Sequence, residues 1–308
     1  MITNESQKYG PVIQQYLSSG SGVAYIISPF ISIHTLQKIL GSSKNAIIVT
    51  SWKREHLSAG VSSIDLYPVC KTNGWVLYIN SSLHAKIYSN SLESCYIGSA
   101  NCTDKALFLA DGNIECLNLK KDLDISERCE INRILLKSTL VDDEVYELYK
   151  EWTGKIESEK QNDVIEPDIS SMKNYPLLQL PATDDPTILY DYLNAPEKYH
   201  KLKNKIEHDL ALFSPLTYCP KDEFFECCKQ NFFESRFIKA VDEIVGENGA
   251  SFGEVSEKIH DMCTDRPKPH RKDVKPFVHN LFQWFVELEP DIYEIYVPRH
   301  SEILRRKS

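Results

Sequence analysis

Between Leu83 and Asn118 the chain repeats one pattern three times: a short apolar segment that carries two polar side chains two residues apart. The first copy, Leu83–Tyr88, has the leucine, isoleucine and tyrosine content of a strand. Because side chains alternate along a strand, His84, Lys86 and Tyr88 are predicted to share one face. The pattern therefore predicts a sheet that brings an imidazole and an ammonium group into the same space.

The second and third copies extend the same polar surface. Cys95–Gly98 predicts an apolar strand that ends at its glycine, and the segment 113–118 predicts another. In both, polar residues two apart should point the same way. The side chains predicted to meet are His84, Lys86, Ser99, Asn101, Asn113 and Glu115.

These residue types suit attack on a phosphodiester. A neutral imidazole can attack phosphorus and carry the phosphoryl group covalently, which divides one difficult displacement into two easier ones. A lysine, a hydroxyl and an amide can donate hydrogen bonds to the non-bridging oxygens as negative charge develops on them. Such a site requires no metal ion and no cofactor, and the sequence suggests neither.

His84-x-Lys86, Gly98-Ser99-x-Asn101 and the later Asn113-x-Glu115 resemble the catalytic motif of the phospholipase D superfamily. The closest likeness is to its metal-independent nuclease branch, which includes phospholipase D-like restriction endonucleases. The resemblance covers residues 20–120 and implies an α/β class, an α/β/α sandwich with a mixed sheet. It also implies that two copies of the motif meet across a twofold axis.

In this resemblance one histidine is the nucleophile, and the other protonates the leaving oxygen and then activates water. The chain supplies one copy of the motif, so the resemblance implies a homodimer with one composite site. His84 would act as nucleophile in one subunit and as general acid and base in the other. The usual motif has an aspartate where this chain has Ser91, a departure that favours a nuclease over a lipase.

Each of these residues also has a structural interpretation. A lone histidine on a strand is more often a structural residue than a catalytic one, and Tyr88 would fit simple core packing. Glu115 could orient Lys86 or bind neighbouring backbone. The order and spacing of the whole set favour a catalytic site.

The composition predicts a soluble cytoplasmic protein. Of 308 residues 42% are hydrophobic and 26% charged, and no apolar run is long enough to span a bilayer. The polar N-terminus does not resemble a signal peptide. Nine cysteines without a Cys-x-x-Cys pair predict reduced thiols and not a disulfide framework or a zinc site.

The charge distribution limits how this protein can bind nucleic acid. The net charge is −9, yet residues 1–155 hold 15 basic and 16 acidic residues, and the tail 264–308 holds 9 basic and 7 acidic ones. A phosphate-binding surface must therefore be a local patch and not a global field.

Three regions are predicted along the chain. Residues 1–155 alternate between strands and helices as an α/β domain requires, with Ile64–Val69 among the predicted strands and two helices within 127–152 closing the domain. Residues 156–194 lack periodicity and predict an irregular connector. Residues 195–308 predict a mainly helical accessory domain.

The accessory domain has a pattern similar to that of a winged helix. Helices are predicted at Arg236–Val245, Phe252–Met262 and Val274–Val286, followed by a strand at Ile292–Val297. Ser251 with Glu254 predicts a capping box. The polar residues in and before the third helix could contact a DNA groove or could form a solvated face. They are Arg271, Lys272, Lys275, His279 and Gln283.

The predicted function is a metal-independent phosphodiesterase that cleaves nucleic acid, a DNA endonuclease of restriction or antiviral defence type. Its predicted partners are a second copy of the chain and nucleic acid, without a membrane; whether a partner protein activates it stays open. Two alternatives remain: a phospholipid hydrolase or transphosphatidylase, and a non-enzymatic dimeric scaffold or regulator.

Overall fold

The computed structural model describes residues 9–19, 22–41, 45–159, 167, 175–215, 219–265, 267–298 and 301–307. The chain divides into two compact units: unit 1 comprises residues 1–124 and 137–172, and unit 2 comprises residues 125–136 and 173–308. The predicted catalytic domain ended at residue 155, and the predicted accessory domain began at residue 195. In the structure the helix at 125–136, the first of the two helices predicted to close the catalytic domain, belongs to unit 2.

Unit 1 is an α/β fold built on a mixed sheet. In the part of the unit that the structure describes, seven strands follow the order β6-β5-β4-β1-β2-β3-β7. They are β1 (Ala24–Ile27), β2 (Ala46–Thr50), β3 (Val76–Ile79), β4 (Ile87–Asn90), β5 (Cys95–Gly98), β6 (Leu117–Lys120) and β7 (Thr139–Leu140). β1 and β3 both pair with β2 in parallel, and all other neighbours are antiparallel.

The helices of unit 1 connect and flank these strands. They are α1 (Tyr9–Ser19), α2 (Ile33–Leu40), α3 (Arg54–Ser58), α4 (Leu66–Asn73), α5 (Asp104–Leu107) and α7 (Asp143–Glu159). The helix between α5 and α7 in the chain, α6 (Ile125–Leu136), belongs to unit 2.

The strand predicted at Ile64–Val69 is wrong, because α4 occupies most of that segment. Its buried residues Leu66 and Cys70 are four positions apart, which is helical spacing. The helix ends at Gly74, whose left-handed conformation (φ 69°) suits glycine.

The core of unit 1 lies against one face of the sheet. Neighbouring strands place Ile26, Ile48, Leu77 and Tyr88 side by side, and all four are buried. Apolar residues of α1, α2, α4, α5 and α7 join the same cluster. The packed strands form a firm base for the loops at their ends.

Unit 2 is mainly helical. Besides α6 it contains α8 (Ile188–Asn194), α9 (Lys203–Phe213), α10 (Lys221–Glu234), α11 (Arg236–Val245), α12 (Phe252–Met262), α13 (Arg271–Leu288) and the strands β8 (Ala250–Ser251), β9 (Tyr293–Tyr296) and β10 (Ile303–Arg306). α11 and α12 match their predicted bounds. Ser251 caps α12, since its hydroxyl accepts a hydrogen bond from the Glu254 backbone N–H at 3.2 Å.

The predicted connector is only partly irregular. Residues 160–166 and 168–174 lie outside the described residues, but the segment 175–194 contains a short 3-10 helix and α8. Leu177, Leu180, Leu189 and Tyr192 are buried in the core of unit 2. This segment folds because its apolar residues, although aperiodic, fill that core.

Among the helices that the structure describes, none is both long enough and apolar enough to cross a membrane.

Candidate active site

The sheet topology brings the motif residues to one edge. β1 and β2 are parallel, so their carboxyl ends lie at the same edge of the sheet. β4 is antiparallel to β1, which puts its amino end at that edge, and β5 returns to it. His84 and Lys86 precede β4, whereas Ser99 and Asn101 follow β5. The two halves of the motif therefore meet at the edge where α/β sheets commonly bind ligands.

His84 and Lys86 are not in a strand, contrary to the prediction for Leu83–Tyr88. β1 ends at Ile27, which lies opposite Ile87, so β4 begins only at Ile87. The motif lies in the irregular segment just before it. The prediction for the third copy fails for the same reason: β5 ends at Gly98, opposite Leu117, and Asn113 and Glu115 lie in the loop before β6.

Lys86 holds a buried positive charge beside the proposed nucleophile. Its side chain is 6% exposed, and its ammonium donates to the carbonyl oxygen of His84 at 2.6 Å. The ammonium also lies 3.4 Å from Nδ1 of His84. Burial lowers the pKa of Lys86, and the charge of Glu115 partly offsets this. Lys86 is therefore a desolvated cation next to an exposed imidazole.

Ser99, Asn113 and Glu115 form one hydrogen-bonded group. The Ser99 hydroxyl donates to Glu115 in a very short hydrogen bond and accepts from the backbone N–H of Cys116 at 3.0 Å. The Asn113 amide donates to the other oxygen of Glu115 at 3.1 Å. Ser99 was predicted to donate to a phosphate, but in this structure its hydrogen is directed to Glu115. The hydrogen bond of Ser99 holds Glu115 in place, and the negative charge of Glu115 partly offsets the lowering of the Lys86 pKa by burial.

Gly98 is required by the close approach of two strands at this point. A Cβ on Gly98 would collide with the backbone carbonyl of Cys116. Any side chain here would push apart the segments that carry Ser99 and Glu115.

Asn101 is oriented by a residue that the sequence analysis missed. The hydroxyl of Ser28, at the carboxyl end of β1, donates to the Phe30 carbonyl at 2.8 Å and lies 3.3 Å from Oδ1 of Asn101. It also accepts from the Cys102 backbone N–H at 3.1 Å. The one hydroxyl hydrogen of Ser28 is shared between these two oxygens, so Oδ1 of Asn101 faces Ser28 and the amide NH₂ of Asn101 is left to donate. The strand-end position of Ser28 was the only signal in the sequence.

Tyr88 is buried and bonds to the backbone of the motif, whereas Ser91 lies away from the site. Tyr88 is fully buried, its hydroxyl donates to the Ala100 carbonyl at 2.9 Å, and burial raises its pKa well above the usual value. It is a core residue. Ser91, which replaces the motif aspartate, follows the last residue of β4 in the turn at the opposite edge of the sheet.

A second His-x-Lys pair, His270 and Lys272, occurs at the start of α13 in unit 2. No Gly-Ser-x-Asn follows it. At the start of α13 the backbone N–H of His270 donates to Oδ2 of Asp273 at 3.1 Å, and the backbone N–H of Asp273 donates to the His270 carbonyl at 2.8 Å. This pair has a structural explanation.

The residues predicted to bind nucleic acid lie on α13. Arg271, Lys272, Lys275 and His279 are exposed, whereas Gln283 is half-buried. Arg271 already pairs with Glu257 at 2.8 Å. The amino-terminal half of α13 is thus an open, mostly basic surface.

Within the residues described above, no group of three or more His, Cys, Asp and Glu side chains could hold a metal ion. No family model matches the chain, and no curated protein or solved structure matches it either.

Proposed function

We propose that the chain is a phospholipase D-like, metal-independent phosphodiesterase that cleaves nucleic acid, a DNA endonuclease of restriction or defence type. The observation that supports this most is the buried ammonium of Lys86, 3.4 Å from the exposed imidazole of His84. A desolvated cation beside a nucleophile stabilises the negative charge that develops on a phosphodiester. Asn101 is oriented to add a neutral donor.

In the proposed reaction an unprotonated nitrogen of His84 attacks phosphorus. A phosphorus–nitrogen bond forms, the bond to one ester oxygen breaks, and that oxygen takes a proton from a second histidine. Water then gives a proton to this second histidine and attacks phosphorus, and the phosphorus–nitrogen bond breaks. His84 is thereby restored, and Lys86 holds the non-bridging oxygens throughout.

The second histidine would be His84 of a second copy, and an exposed apolar surface supports such a homodimer. Ile114 is 86% exposed and Ile97 is 45% exposed, and both lie next to motif residues at the site edge. Exposed isoleucines beside a polar half-site suit a self-complementary contact across a twofold axis. Ile114→Asp should give monomers in light scattering, with loss of cleavage.

Unit 2 would bind the substrate. Its order α11-β8-α12-α13-β9-β10, with antiparallel sheet order β8-β10-β9, supports the winged-helix proposal. α13 would be the recognition helix, with Lys272, Lys275 and His279 as its open contacts. Lys275→Ala should weaken DNA binding and lower the slope of log Kd against log salt by about 1.

His84→Ala tests the proposal directly, with His200→Ala as a matched control at an exposed position of unit 2. The wild type and the control should cleave DNA in buffer with EDTA, and acid-quenched wild type should yield phosphohistidine. His84→Ala should do neither. Cleavage that survives this substitution, or that needs Mg²⁺, contradicts the mechanism. Headgroup release from liposomes without nuclease activity would indicate a lipid substrate instead.

A further inference from the structure

We propose that Lys53 and His56 form a second phosphate-binding subsite beside His84 and Lys86, and that it holds the phosphate next to the scissile one on a nucleic-acid strand. This inference rests on the proposed function and deepens it. It identifies the substrate class as a chain of phosphodiesters and not a molecule with a single one.

The segment that carries the subsite is firmly held. It follows β2 at the same sheet edge as the motif. The hydroxyls of Thr50 and Ser62 both donate to the Pro29 carbonyl at 3.1 Å. The carbonyl of His56 accepts from the backbone N–H groups of Val61 and Ser62 at 3.1 and 3.2 Å. A binding group on such a segment loses little conformational entropy when a ligand arrives.

The imidazole of His56 has a fixed orientation. Its Nδ1 lies 3.1 Å from the hydroxyl of the fully buried Ser51. Its ring packs edge-on against Phe30, with centroids 4.8 Å apart and an interplanar angle of 86°. Nδ1 is thus occupied, and Nε2 makes no hydrogen bond within the described ranges. The ring therefore presents Nε2 to a ligand.

Basic groups crowd together here. Burial lowers the pKa of His56, the exposed Glu55 opposes this, and the nearby charges of Lys53 and His84 lower it further. The charges of Lys53 and His84 therefore both oppose a positive charge on His56. A bound phosphate would relieve that repulsion, because it places negative charge among them.

This arrangement distinguishes substrate classes. A single phosphodiester needs only the groups around the reacting phosphorus, which His84, Lys86 and Asn101 supply. A second basic pair has a use when another phosphate follows at a fixed distance along the same molecule. That is the chemistry of a nucleic-acid strand, whereas an ordinary phospholipid has one phosphodiester.

The test compares Lys53→Ala and His56→Phe with a matched control, Lys121→Ala. His56→Phe keeps a ring against Phe30, and Lys121 is an exposed lysine that follows β6 at the opposite edge of the sheet. KM is measured for a single-stranded DNA 12-mer and for a dinucleoside monophosphate, which has one phosphate. Kd for the labelled 12-mer is measured in the His84→Ala background.

Both subsite variants should raise KM and Kd for the 12-mer about 5- to 10-fold, and the rise in KM should be at least three times smaller for the dinucleoside. Lys121→Ala should change neither. Unchanged 12-mer binding in both variants, or equal losses on the two substrates, would overturn the subsite. If the wild type cleaves neither substrate, the proposed function is overturned. The Kd values for the labelled 12-mer need no cleavage and then test the subsite on their own.

Discussion

Ser99 donates its hydroxyl hydrogen to the carboxylate of Glu115, and this bond makes the two residues act as one group. Glu115 is 6% exposed. Burial lowers the pKa of Lys86, and the negative charge of Glu115 partly offsets that lowering. Ser99 therefore influences the site through Glu115 and Lys86.

A double-mutant cycle on this pair gives the first prediction. Ser99→Ala and Glu115→Gln should each lower kcat/KM for DNA about tenfold, and the double variant should lose little more than either single one, because both remove the same interaction. Losses that multiply in the double variant would show that Ser99 contacts the phosphate directly.

Lys86 gives a prediction that separates activity from stability. Lys86→Met should lower kcat by about 100- to 1,000-fold, because it removes the main positive charge at the reacting phosphate. The melting temperature should be equal to or higher than that of wild type, because an apolar side chain of similar length replaces a desolvated ammonium. Lys121→Met should change neither quantity. A large drop in melting temperature for Lys86→Met would assign Lys86 a structural role.

The buried ion pair of unit 2 leads to a stability prediction. Arg128 binds Glu207 through two hydrogen bonds, of 2.9 and 2.5 Å, and Tyr192 donates to the same carboxylate at 2.6 Å. Glu207→Ala removes the carboxylate that pairs with the buried arginine, which should lower the free energy of unfolding by about 3–5 kcal/mol. Glu257→Ala, which breaks the exposed pair with Arg271, is the control and should have little effect in denaturant unfolding.

His208 makes the stability of unit 2 dependent on pH. Its Nε2 lies 2.7 Å from the Leu178 carbonyl and its Nδ1 lies 2.8 Å from Asp209. Both partners accept, so both nitrogens donate and the ring is charged. Burial opposes that charge, but the hydrogen bond and charge of Asp209 outweigh burial and raise the pKa of His208 above 6.5.

A raised pKa in the folded state stabilises the protein below the unfolded pKa, and this contribution is lost as pH rises through the folded pKa. The melting temperature of wild type relative to His208→Gln should therefore be highest near about pH 6 and should fall towards about pH 9. NMR titration of the imidazole gives an independent measurement. A difference that grows with pH would contradict the charged assignment.

Several elements of both units were predictable from local sequence. β5 and the bounds of α11 and α12 agree with their predictions, because apolar alternation, strand-ending glycine and a serine cap act over a few residues. α4 was misassigned because its apolar residues fit both periods over so short a stretch. The two-residue strand β8 exists only because β10 pairs with it.

The sequence by itself determined which chemical groups are present and their order: His84, Lys86, Ser99 and Asn101 around short strands. Tertiary structure decided what each group does. The sheet register makes β4 begin at Ile87 and β6 begin at Leu117, and in that arrangement Ser99 meets Glu115, Lys86 is buried and Ser28 lies beside Asn101. These contacts join residues far apart in the chain, and local propensities do not determine them, because they depend on how distant segments pack.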